Sequence, residues 1–158
     1  MRDAAVLHKA DYQHQLDVLK ELHQKNKWSA GYIDANGIGG PIAEFANKQV
    51  SARIRGFTWT AQNKTKAYEN VRALAFDRKL VFASHLKSMV KADVQNVSRI
   101  VSESGTVRYE AGRYSEGHSD VVSGIVLGVQ AGRDNPVNFC GPQTYVRPSP
   151  LGGWHSRL

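Results

Sequence analysis

Short apolar runs alternate along this chain with longer stretches whose apolar residues recur every three or four positions. In Asp11–Lys25, Tyr12, Leu16, Leu19 and Leu22 keep helical spacing, which predicts one amphipathic helix. Asn63–Asp77 places Ala67, Val71, Leu74 and Ala75 on one face, and Leu86–Asn96 turns Leu86, Met89, Val90 and Val94 inward. Ser119–Gly132 is almost wholly apolar after its first two residues and reads as the last helix. Between these segments, Ala4–His8, Trp28–Asp34 and Arg53–Trp59 read as strands, and Leu80–Ala83 as a short extended piece. Pro41 suits the first turn of a further helix that continues through Ile42–Ala46. Ser98–Val101 and Thr106–Ala111 flank SESG and predict a hairpin. Strands alternating with helices imply an α/β layered domain.

The pattern stops after Arg133, where the chain becomes rich in Pro and Gly. Residues 1–133 therefore read as one domain and 134–158 as an extended tail. The 158 residues suffice for one core and not for two. Charge narrows the partners: 21 Lys and Arg against 14 Asp and Glu give a net +7, which favours a polyanion such as nucleic acid. Cys140 is the sole cysteine, so an intrachain disulfide and a thiolate zinc cluster are excluded. Val121–Ala131, the longest apolar stretch, is too short to span a bilayer, and nothing resembles a signal peptide. The expectation is a cytoplasmic protein with no membrane partner.

In α/β domains, sites gather at the carboxyl ends of strands. Asp34 ends such a strand and enters the turn ANGIGGP, where Gly37, Gly39 and Gly40 allow a sharp turn and a close approach to a ligand. The turn lacks the Lys-Ser/Thr pair of a P-loop and a full G-x-G-x-x-G, which argues against a nucleotide. Asp120 stands with His118 and Ser119 at the mouth of the apolar helix. Two readings are open there. Ser119 or Asp120 caps the helix, or Asp120 is a metal ligand held ionised by the positive end of the helix. Gly124 and Gly128, four apart, would let that helix lie close on a sheet. Acids from distant segments at one sheet edge suit Mg²⁺ or Mn²⁺, and two such ions would activate water for phosphodiester hydrolysis. Arg53, Arg55, Lys64 and Lys66 cluster in sequence and would line a DNA backbone groove, or else are solvated surface charge.

Three blocks in order, YIDANGIGGPIAEFAN, RGFTWTAQNKTKAYENVRALAFDRKLVF and GHSDVVSGIVLGVQA, resemble the nuclease domain of tailed-phage terminase large subunits over residues 4–132. The resemblance implies a ribonuclease H-like fold, a mixed sheet flanked by helices, and an endonuclease that cuts concatemeric viral DNA during packaging with two divalent ions. It assigns Asp34 and Asp120 to the second and third acids of the family's metal cluster, with His118 beside the metal. It further implies double-stranded DNA, the portal and the small terminase subunit as partners, in the cytoplasm of the host cell. The family's first Asp, on a strand well upstream, has no counterpart here. The chain thus reads as truncated by the fold's first two strands, with Ala4–His8 and the Asp11–Lys25 helix as the third strand and first helix. An open sheet edge would follow, and open edges invite pairing with another copy. The alternatives are a catalytically inactive DNA-binding or assembly remnant, or another ribonuclease H-like nuclease such as a resolvase.

Overall fold

A computed structural model of the chain describes residues 1, 4–7, 9–112 and 119–136. Five α-helices and four strands follow one another as α1 (Tyr12–Asn26), β1 (Gly31–Asp34), α2 (Gly39–Gln49), β2 (Ile54–Phe57), α3 (Ala61–Phe76), α4 (Lys87–Gln95), β3 (Val97–Val101), β4 (Val107–Ala111) and α5 (Asp120–Asp134). A single 3₁₀ turn, Ser84–Leu86, leads into α4.

The helix boundaries follow from local chemistry. Asp11 caps α1 by accepting the His14 N–H at 2.8 Å, and Lys27 ends it in the left-handed region at φ 48°. At α3, Thr60 and Asn63 form a reciprocal capping box, the Asn63 N–H donating to Thr60 Oγ1 at 3.2 Å and the Thr60 N–H to Asn63 Oδ1 at 2.8 Å.

Two small sheets result. β1 and β2 run parallel, with Gly31 opposite Ile54 and Asp34 opposite Phe57. The crossover between them is α2, which packs on both strands. β3 and β4 form the expected antiparallel hairpin, its loop turned by Gly105 at φ 81°. Leu16 of α1, Ala46 of α2 and Ile54 of β2 make one core cluster, with Ile33 against it. A larger cluster joins Ala67 and Tyr68 of α3, Tyr109 of β4, and Val122 and Val126 of α5. A third joins Leu86, Val90 and Ile125.

Three expectations fail. Residues 4–7 form no strand; His8 lies outside the described residues. A short apolar run becomes a strand only if a neighbour accepts its backbone, and among the described residues only Met1 finds one, donating to the Val81 carbonyl and accepting from the Ala83 N–H. On α4, Val94 faces solvent and Asp93 is buried in its place. On α5, Gly124 and Gly128 are exposed, with open space where a Cβ would stand, so they are not a packing stripe.

Candidate functional site

Asp34 is exposed at the carboxyl end of β1. The turn that follows is tied down on three sides. The Asn36 N–H donates to Asp34 Oδ1 at 2.9 Å, and the Trp59 N–H donates to Asn36 Oδ1 at 2.7 Å, linking this turn to the segment after β2. Gly37 takes φ 60°. Gly39 comes so near that a Cβ on it would stand 1.8 Å from the Asp34 carbonyl oxygen. Gly37 thus serves the sharp turn and Gly39 a close approach, but what Gly39 approaches is the chain itself.

Asp120 is the first residue of α5 and is exposed. Neither proposed cap operates. Ser119, the N-cap, lies at φ 58° and makes no capping bond, and its buried Oγ has no partner. The cap comes instead from another helix: the Val122 N–H donates to Oδ2 of Asp93, on α4 and 2% exposed, at 2.9 Å. Sequence reading missed Asp93 by assigning the inward face to Val94; the spacing 86, 90, 93 was its only signal. Asp120, free of capping duty, keeps both carboxylate oxygens for solvent or a ligand.

α5 packs directly on β1. Beside them opens a groove of about 570 Å³, lined by Ile33, Ile42, Val121 and Gly124, the apolar face of α1 and residues 4–7. Asp120 lines this groove, as does Ile33, the residue before Asp34; Asp34 itself does not. Two exposed carboxylates are oxygen donors of the kind that hold Mg²⁺ together with water and substrate phosphate. Among the described residues, no three of His, Cys, Asp and Glu gather as a metal cluster. His118 lies outside the described residues.

The four basic residues are divided between β2 with its approach and α3. Arg53 precedes β2 at its amino end, and Arg55 is exposed on β2. Lys64 sits 6.0 Å from the centre of the Tyr68 ring, on α3, and Lys66 is exposed further along that helix. At the carboxyl end of α5, Tyr32 donates to Asp134 Oδ2 at 2.9 Å, and its pKa is raised by burial and then by that carboxylate.

The fold is similar to that of solved proteins. The large terminase nuclease from thermophilic phage G20c, in crystal structures with bound magnesium and with bound cobalt, superposes with TM-scores of 0.59 and 0.58. The chain has the large terminase nuclease fold. Identity is 20%, and the match covers 78% of this chain and 64% of each solved chain, so this chain spans less than two thirds of the length of those nucleases. No family model matches the chain. No curated protein matches it either.

Proposed function

We propose that the chain is a divalent-metal-dependent DNA endonuclease of the terminase large subunit type, acting on double-stranded DNA during phage packaging. The observation that carries this is Asp120, exposed and free of capping duty at the start of α5 where that helix lies on β1, in a fold shared with a nuclease whose crystals hold magnesium or cobalt. In this reading residues 1–133 are a partial ribonuclease H-like domain, 134–158 a tail, and the host cytoplasm the place of action. Asp34 and Asp120 would hold Mg²⁺ or Mn²⁺, with His118 as a further ligand or proton-transfer group. The ion, when bound, supplies a Lewis acid that activates water and stabilises the leaving oxygen. The protein's own part is orientation. Asn36 fixes Oδ1 of Asp34, and Asp93 fixes the backbone that carries Asp120. Portal and small subunit are the protein partners this reading assigns.

The test is nicking of supercoiled plasmid in Mg²⁺, Mn²⁺ and EDTA, with Asp34→Ala, Asp120→Ala and His118→Ala alongside. Cleavage that needs metal and is lost in the Asp variants supports the reading. Metal-independent cleavage, or variants that cut as well as the parent, sinks it. The alternative reading is a catalytically inactive DNA-binding or assembly remnant. It requires DNA binding without cleavage in any metal.

A second copy is the other partner this reading supports. Among the described residues, β1 pairs only with β2. The Gly31 and Ala35 N–H groups bond to β2 at 3.1 and 3.0 Å, so the backbone of Tyr32 between them points to the free edge. Light scattering that finds a dimer, lost in Tyr32→Pro, supports pairing there; a monomer at all concentrations excludes it.

A further inference from the structure

At the opposite end of β1 and β2 from Asp34, five side chains close on a second cavity of about 240 Å³: His23, Lys27, Trp28, Ser51 and Arg53. The Gly31 N–H donates to the Arg53 carbonyl at 3.1 Å, which sets Arg53 at the entry of the parallel ladder, whereas Asp34 and Phe57 close its exit. Each of the five lining side chains carries a hydrogen-bond donor, and no acid is among them.

The donors are uncommitted. Nδ1 of His23 is buried without a partner, a costly state for a polar nitrogen. The imidazole is held in place by the Trp28 ring, 5.6 Å away between centroids. Ser51 Oγ accepts the Arg53 N–H at 3.3 Å, which leaves its hydroxyl hydrogen to donate. Neither Lys27 nor Arg53 has an ion-pair partner among the described residues. Lys27 reaches the cavity because α1 ends on it in the left-handed region, with its N–H donating to the His23 carbonyl at 2.7 Å.

We propose that this cavity binds a phosphate group, and that its source is the backbone of a nucleic acid. A phosphate presents several acceptor oxygens at once, which suits an arginine fork, an ammonium, a hydroxyl and an imidazole converging from separate elements. The net charge of +7 favours the same class of ligand. The site is distinct from the Asp34 and Asp120 end of the domain and requires no cleavage chemistry, so it stands whether or not the nuclease reading does.

The experiment uses the full chain in EDTA. Binding of a fluorescent DNA duplex is followed by anisotropy over a salt series for the parent, Lys27→Gln, Arg53→Gln and, as a control on α4, Lys91→Gln. Inorganic phosphate is titrated separately, following the His23 ring resonance, assigned with His23→Gln. We expect phosphate to shift the His23 resonance. We also expect each cavity variant to lower the slope of log K against log salt by about one, with Lys91→Gln unchanged. A phosphate shift with unaltered DNA slopes assigns the cavity to a free phosphate compound and overturns the nucleic-acid source. An equal loss in Lys91→Gln means diffuse attraction and overturns the site, as does an unmoved His23 resonance. Lys27 and Arg53 are exposed, so unchanged thermal melting is expected and separates lost binding from lost fold.

Discussion

The two sides of α5 live in different surroundings. One side, Val122 and Val126, is sealed against α3 and the β3–β4 hairpin; Val126 is 0% exposed and Tyr68 stacks on Tyr109 at 5.0 Å. That region is closed by a polar knot at its rim. Glu69 accepts from Arg99 at 2.9 Å, from Tyr109 at 2.8 Å and from Arg72 at 3.2 Å. The other side, Asp120, Val121 and Gly124, borders the groove beside the free edge of β1. The same helix is thus anchored by apolar burial on one side and left open on the other. The candidate chemistry lies on the open side, where a ligand has access and the carboxylates keep their solvent, while the closed side supplies the stability that this openness lacks.

The largest effect that would break this division comes from Gly39→Ala. Its methyl would enter the Asp34 carbonyl, so the turn must shift, at a cost of about 3 kcal/mol. Urea unfolding should show the loss, and a variant as stable as the parent would mean that the turn is not held as described. Next is Val126→Ala, which should cost about 2 kcal/mol, while Val121→Ala, half-buried between the groove and the Leu86 and Val90 cluster, costs less. Equal losses would erase the contrast between the two sides.

Asp93→Leu leaves the Val122 N–H buried and unpaired, an expected loss of about 1 to 2 kcal/mol, with much of it restored in Asp93→Asn. Hydrogen exchange at the Val122 amide reports it directly, and exchange as slow as in the parent would count against the tertiary cap.

The smallest effect is a dependence on pH. The Arg99 guanidinium and then the Tyr109 hydroxyl hold Glu69 below its ordinary carboxylate range. A pKa lower in the folded state than in the unfolded chain gives stability present above the unfolded value of 4.5 and lost as pH falls through the folded one. The hairpin should therefore loosen in acid below that value, and Glu69→Gln should flatten the dependence without altering the groove. An identical acid profile in the variant would remove Glu69 from the account.

Much of the fold was legible because local rules set it. The period of Leu16, Leu19 and Leu22 and the capping Asp11 mark α1 to within a residue. The SESG loop marks the hairpin. Asp34 was legible as the end of a strand before a glycine turn, and Asp120 as the start of a helix. Asp93 was not, since an acid on an amphipathic helix reads as solvent-facing until the amide it receives is known to lie on another helix. Nor was the cavity at Arg53, whose partners come from the end of α1 and the loop before β2 and share no spacing along the chain.

The amino-acid sequence by itself determined the helices, the hairpin, the strand–helix–strand order of β1, α2 and β2 and the positions of the two candidate acids, because periodicity, capping and turn chemistry act over a few residues. Only the tertiary structure decided which face of α5 is buried and which amide Asp93 receives, and that residues 4–7 find no strand partner. It alone brought His23, Lys27 and Arg53 together. Each of these depends on which surfaces meet once the chain has packed, and no local pattern carries that information.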